Sequence, residues 1–396
     1  MPPSVAPRVC IIRHGQYPED PRVRREAEAL LDAGCELDII CRRGDGEPAS
    51  ECVGGAQVHR LPVDHRRNGK LRYAFEYGAF PAVAALTLER LDRRRRFHVV
   101  QVNTMPDHLV YAAAPARRRG ARVVLDMHDM MPELYESKFG PSPRAVRVLC
   151  AVERASVAYA DGALVVSEPQ RRSLIARGIA ADRLTTVMNL PDERIFHARA
   201  ERPDPSPGPM LISHGTLVER LGYDTAIRAV AIARDRVPDV RLTIVGAGEY
   251  EPALRVLAAK LSVQDRVAFL GFRPIEEIPQ HIARAHIGVV ANKLDSFTDL
   301  LVPTKLMEYV AMGLPAIVAR TTGVQAYFDD SSVTFFKPDD PADLARAIGQ
   351  LASDHDGSYR LAERAQNRFR ESYSWQRGKL AYQQLVTDQA ARAKRL

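Results

Sequence analysis

The chain has 396 residues, 46% of them apolar and 27% charged, and a net charge of +7. That length exceeds one ordinary core and predicts two domains, while the apolar share excludes extensive disorder. No apolar run reaches the roughly 18 residues that a membrane-crossing helix needs, and the opening Met1-Pro-Pro-Ser-Val-Ala-Pro-Arg8 lacks the apolar core of a signal peptide.

Cys10, Cys35, Cys41, Cys52 and Cys150 are irregularly spaced, with no C-x-x-C pair. That argues against a disulfide framework or a zinc site and for a cytoplasmic chain. In chain order, apolar runs predict strands over 9–12, 37–40, 58–63, 99–102, 123–125, 163–166 and 185–188, and a helix over 23–33 stopped by Gly34. Alternation of strand and helix signals means an α/β protein with parallel sheets. Residues 93–96 and 117–119 are all arginine and precede predicted strands, so they read as solvated helix ends. No aromatics are interleaved with them, so nucleic acid is not expected. Peripheral attraction to an anionic membrane face is the partner such runs would suit better.

Residues 203–209 hold four prolines and a glycine, which cannot continue helix or sheet and mark a linker. A first domain over 1–202 therefore precedes a second over 210–371. Strands of the second are predicted at 211–213, 241–245, 267–270, 287–290, 316–319 and 333–336. A closing segment, 372–390, contains the lone Trp375, either an anchor or a plain core residue.

Two stretches carry chemistry. In Pro303-Thr-Lys-Leu-Met-Glu-Tyr-Val-Ala-Met-Gly-Leu-Pro315, Pro303 starts a helix and Gly313 ends it before a buried strand. Lys305 and Glu308 are i, i+3 neighbours on its first turn, where free backbone N–H groups and the positive dipole end attract anions. A cation beside a carboxylate there suits a ligand with a phosphate and a diol; a surface ion pair on an ordinary αβ unit is the alternative. In the first domain, the strand ending at Met127 leads into His128 and Asp129, at the sheet edge where ligands bind in open α/β folds. A histidine beside a carboxylate can bond sugar hydroxyls or move a proton. The run Val245-Gly-Ala-Gly248 lacks the last glycine of a dinucleotide fingerprint. Asp354-His-Asp356 lies in a polar stretch and reads as surface, not as a metal site.

The 303–315 segment resembles the donor-site helix of family-4 glycosyltransferases, and the resemblance extends from the first strand to residue 385. It implies a GT-B fold: α/β, with two doubly wound Rossmann-like domains facing a cleft. The implied reaction moves a sugar from a nucleotide-diphosphate sugar, such as a UDP-sugar, to an acceptor hydroxyl, with retention and without a metal or other cofactor. The acceptor would be a glycan, a lipid-linked sugar or a small molecule, in polysaccharide or glycoconjugate synthesis. Glu308 matches the family glutamate that holds the ribose. The family's earlier glutamate of E-x7-E is Leu300 here, as in relatives with a Pro-x-Lys version, leaving Asp295, Thr298 and Asp299 as polar candidates for the sugar ring. The resemblance assigns catalysis to His128, Asp129, Lys305 and Glu308. It assigns donor binding to Gly15, His214, Gly215, Thr216, Arg220, Gly246, Phe272, Arg273 and Thr304 besides Lys305 and Glu308. Arg22, in Asp20-Pro-Arg-Val23, becomes the acceptor contact, and Arg220 replaces the family's phosphate lysine, whose place Leu221 takes. The terminal segment resembles a helix that crosses back onto the first domain. A nucleotide-sugar 2-epimerase of the same fold, or a nucleotide-sugar-binding protein without turnover, stays open.

Overall fold

The computed structural model describes residues 6–63, 70–199, 201–203 and 208–393, with only the backbone path given for 70–77. Most of the expected linker, 204–207, lies outside the described residues. The protein divides into two units, residues 1–189 with 376–396, and residues 190–375.

The first unit is built on β1 (Arg8–Arg13), β2 (Glu36–Arg42), β3 (Ser50–Val53), β4 (Ala56–Leu61), β5 (Val99–Asn103), β6 (Arg122–Met127), β7 (Gly162–Val165) and β8 (Leu184–Thr186). They form one sheet in the order β3-β4-β2-β1-β5-β6-β7-β8. β1, β5 and β6 are buried along almost their whole length, as strands covered on both faces must be. β3 is the exception to the parallel expectation: it pairs antiparallel with β4 through the turn at Gly54 and Gly55, both at positive φ. Its exposed Glu51 and Cys52 give it no apolar signal to read.

The second unit holds β9 (Met210–His214), β10 (Arg241–Val245), β11 (Val267–Phe269), β12 (Ile287–Val290), β13 (Ala316–Ala319) and β14 (Thr334–Phe336), all parallel, in the order β11-β10-β9-β12-β13-β14. It has its own core, with Leu242, Ile244, Val289, Ile317 and Ile348 among its buried members. Residues 190–202, expected in the first domain, belong to this unit. The Arg199 guanidinium ties them there by donating to the carbonyls of Ala285, Gly313 and Met312 at 2.9, 2.8 and 3.3 Å.

The closing helix, Trp375–Arg392, belongs to the first unit from Gln376 onward. Tyr382 is fully buried and donates to Gln101 Oε1 at 2.7 Å, and Gln383 Nε2 donates to the Ala29 carbonyl at 2.7 Å. In each sheet the chain order reverses beside the first strand, β1 next to β5 and β9 next to β12. The crevice at the carboxyl end of such a reversal is where open α/β sheets bind ligands.

Candidate active site

In the second unit, β9 delivers His214 to that carboxyl end, and helix Thr304–Ala311 follows β12 into it. Pro303 is the N-cap rather than the first helical residue, and no side chain caps the turn, so its first N–H groups keep no intrahelical acceptor. Every residue from Lys305 to Ala311 is buried. The helix is thus enclosed all round, which takes Lys305 and Glu308 inside with it.

Burial removes the surface-ion-pair reading. Lys305 and Glu308 are 8% and 7% exposed and find separate partners. The Glu308 carboxylate meets His214 Nε2. Tyr309 donates its hydroxyl proton to the Ile212 carbonyl at 3.2 Å, so its oxygen accepts from His214 Nδ1–H at 3.0 Å. Glu308 Oε2 makes the contact with His214 Nε2, while Oε1 makes no hydrogen bond to a described residue. Lys305 Nζ lies 3.3 Å from the Tyr223 hydroxyl and 4.8 Å from its ring centroid. Burial pushes the ammonium down to about 8, with Glu308 opposing the shift.

Glycine loops pack against this group. Gly215, exposed and at φ +122°, passes so close that a Cβ there would stand 3.9 Å from Lys305 Cε. A Cβ on Gly246, at φ +142°, would sit 1.9 Å from the Gly215 carbonyl oxygen, so the loops after β9 and β10 stack backbone on backbone. Gly246 N–H donates to the Gly271 carbonyl at 2.8 Å, which brings the next loop, with exposed Phe272 and Arg273, to the same edge. Thr216 is exposed and Thr304 half-buried at that edge. Arg220 keeps its Nε buried without a hydrogen-bond partner, with the guanidinium 5.8 Å from the Phe297 ring centroid. Asp295 and Thr298 bond to each other at 3.0 Å, and Asp299 accepts from the Thr322 amide at 2.9 Å, so these polar side chains shape the loop.

In the first unit, His128 follows β6 and its amide donates to Thr104 Oγ1 at 3.1 Å. Its Nε2 lies 2.8 Å from Asp126 Oδ2. Burial raises the Asp126 carboxyl, but Arg22 and His128 more than offset that and hold it well below the usual carboxylate range. An ionised Asp126 fixes the proton on Nε2, which leaves Nδ1 of a neutral ring as the acceptor. Asp129 is half-buried beside it and raises buried Asp107, whose carboxyl burial pushes up to about 7. Gly15 sits in the loop after β1, its carbonyl accepting from the Arg42 amide at 2.8 Å.

Arg22 corrects the expectation of an acceptor contact. It is 4% exposed, and its guanidinium bonds bidentately to Asp126 at 3.0 and 2.7 Å, reaches Glu26 at 3.0 Å and donates to the Val187 carbonyl at 2.9 Å. The Asp-Pro-Arg-Val sequence explains the placement: Asp20 caps the helix Pro21–Asp32 by accepting from the Arg22 and Val23 amides, with Pro21 in the first turn. Asn103 Nδ2 completes the group by donating to Glu26 at 3.0 Å and to Asp126 at 2.7 Å. Sequence reasoning missed Asp126, Asn103 and Glu26. An acid inside the apolar strand Val-Val-Leu-Asp-Met and an Arg-x-x-x-Glu spacing were the signals, because a buried charge needs a partner. Asp354 caps the helix His355–Arg368, as a surface reading of Asp-x-Asp requires. Among the described residues no group of three or more His, Cys, Asp or Glu is arranged to hold a metal ion, and no helix is long and apolar enough to cross a membrane.

Two family models match the chain: glycosyl transferase 4-like domain over residues 20–189, and glycosyl transferases group 1 over residues 195–368. A phosphatidylinositol N-acetylglucosaminyltransferase subunit of Arabidopsis thaliana is 26% identical over 355 residues, covering 88% of this chain and 74% of that protein. Sucrose-phosphate synthase of Thermosynechococcus elongatus superposes with a TM-score of 0.79 at 19% identity, over 97% of this chain and 99% of that one. HepE of Anabaena, solved in complex with UDP-glucose, gives a TM-score of 0.72 at 16% identity, over 96% and 99%. At these identities the likeness to solved structures speaks for the fold alone, which is GT-B.

Proposed function

We propose, for a chain that belongs to the glycosyltransferases of the GT-B fold, that it moves a hexose from a nucleoside-diphosphate sugar to an acceptor hydroxyl, with retention and without a metal. The observation that carries this reading is the buried turn that puts Lys305 and Glu308 beside an exposed glycine loop, Lys305 meeting the Tyr223 hydroxyl and Glu308 meeting His214 instead of each other. Glu308 Oε1 accepts from ribose hydroxyls, and His214 holds the carboxylate in place. Lys305 and the uncapped N–H groups of the first turn meet the diphosphate, with Arg220 as a second cation. The negative charge that grows on the departing diphosphate is then stabilised in a site where water screens little. Phe272 and Arg273 border the place of the base. His128 Nδ1 accepts a hydrogen bond or proton from a sugar or acceptor hydroxyl. A relative of the same fold solved with UDP-glucose, and another named as an N-acetylglucosaminyltransferase, support a nucleotide hexose as donor class. The acceptor hydroxyl belongs to a glycan, a lipid-linked sugar or a small molecule.

Calorimetry with the nucleoside diphosphate tests the site. Charge-assisted hydrogen bonds contribute about 1.5–3 kcal/mol, so Glu308→Gln should weaken binding roughly ten- to a hundredfold. Unchanged affinity in a folded variant would overturn the reading.

A further inference from the structure

The two arginine runs and the end of the closing helix, separate in sequence, meet in the fold. Arg96, Arg117, Arg118, Arg119, Arg122 and Arg392 line one cavity of about 510 Å³ together with Asp161. All belong to the first unit. Arg122 opens β6 and Met127 closes it, so the cavity lies at the opposite sheet edge from His128, roughly 20 Å away at about 3.3 Å per residue.

Helix-end capping accounts for part of the cluster. Arg96 donates to the Arg119 carbonyl at 3.3 Å and Arg117 to the Tyr159 carbonyl. Arg119 pairs with Asp92 at 2.8 Å and Glu89 at 3.3 Å, and Arg122 with Asp161 at 3.1 Å. Arg118 and Arg392 are exposed and make no hydrogen bond or ion pair with the described residues. Six guanidinium groups thus face three carboxylates, and only Asp161 lines the cavity itself. Like charges around a concavity repel one another and focus a positive potential inside it. An anion relieves both, and the planar guanidinium fork matches phosphate oxygens two at a time. The volume is many times the roughly 30 Å³ that one water occupies in the liquid, room for more than one phosphate with its water.

We infer that this cavity binds closely spaced phosphate groups, carried by a free oligophosphate or by a phosphorylated lipid headgroup, at a site separate from the candidate active site. Calorimetry of the full chain with tripolyphosphate at low salt tests it. The wild type should bind, with affinity falling steeply as salt rises. The double variant Arg118→Gln/Arg392→Gln should bind at least about tenfold more weakly, two guanidinium–phosphate contacts being lost. It should melt as the wild type does, because neither side chain bonds a described residue. Arg93→Gln/Arg94→Gln, an equal charge change outside the cavity, should leave binding intact. Repeating the series in a Lys305→Ala background removes the other candidate phosphate site from the signal. No binding by the wild type, equal affinity in the cavity variant, or equal loss in the outside variant would each overturn the inference. Co-sedimentation with vesicles containing phosphatidylinositol 4,5-bisphosphate identifies the source: binding that needs Arg118 and Arg392 assigns a lipid headgroup, and tripolyphosphate binding without vesicle binding assigns a free anion.

Discussion

Lys305 carries the chemistry of the second unit in a form that pH can read. Burial pushes its ammonium down to about 8, so in the free protein it is charged below that value and neutral above it. The sign for stability follows from linkage. A lysine with a lowered folded value weakens the fold while both states are protonated, and that penalty is relieved as pH rises through about 8 toward the unfolded value near 10.4. Diphosphate binding runs the other way, because the ligand needs the charge. Affinity should hold below pH 8 and fall above it, by up to about tenfold per pH unit. Binding near pH 8.5 should take up protons, visible as heats that differ between buffers of different ionisation enthalpy. Lys305→Met should bind more weakly and show no such break. Arg22 makes the contrasting case. It sits in an internal ion pair with Asp126 rather than at the surface, so Arg22→Ala should lower stability by about 3–5 kcal/mol by taking the guanidinium from two buried carboxylates, Asp126 and Glu26. Urea denaturation measures this, and a selective rise in acceptor KM at unchanged stability would restore the acceptor-contact reading.

At the scale of elements, what was legible depended on whether a segment's own residues fixed it. β1, β2, β5, β6, β10, β12 and β13 are rich in apolar residues, and the sequence places each within two residues of its observed bounds. β3 pairs through its backbone at an exposed edge, so its side chains carry no pattern. The Lys305–Glu308 pair was legible as a spacing, but not that the helix is buried on every side and that each residue finds a different partner. Those facts depend on His214 and Tyr223, far away in sequence. The glycine loops were legible as glycines, and their need is set by the contact between two loops. Gly246→Ala should disturb that contact, since its Cβ would fall on the Gly215 carbonyl at a φ that costs an L-residue about 1–3 kcal/mol. The loop after β9 must then shift, and nucleoside diphosphate affinity should drop while the rest of the fold persists. Circular dichroism with calorimetry on one preparation checks both halves, and wild-type affinity would show that the loop contact does not shape the site.

At the scale of the whole molecule, the chain leaves its first unit at residue 189 and returns to it at residue 376, so the two units differ in how they depend on chain continuity. The second is one unbroken stretch with its own core and its own candidate site. The first is completed by the closing helix, which supplies fully buried Tyr382 and buried Val386 and bonds Gln383 to the Ala29 carbonyl. Tyr382 also bonds Gln101, whose amide reaches Glu26 at 2.8 Å and Asn103 Oδ1 at 3.2 Å, so the helix joins the buried group that ends at His128. Ending the chain after Trp375 would expose this network. Loss of a buried aromatic alone costs about 3–5 kcal/mol, a large part of the roughly 5–15 kcal/mol that holds a domain folded. Scanning calorimetry of the truncated chain should therefore show one transition moved to much lower temperature or lost, and a second kept in place. Nucleoside diphosphate should still raise the second transition, because a ligand bound only by the native state stabilises it by mass action. Turnover should vanish, since His128 belongs to the unit that loses its support. If both transitions fell together, or the ligand raised neither, the nucleotide site would not belong to the second unit alone.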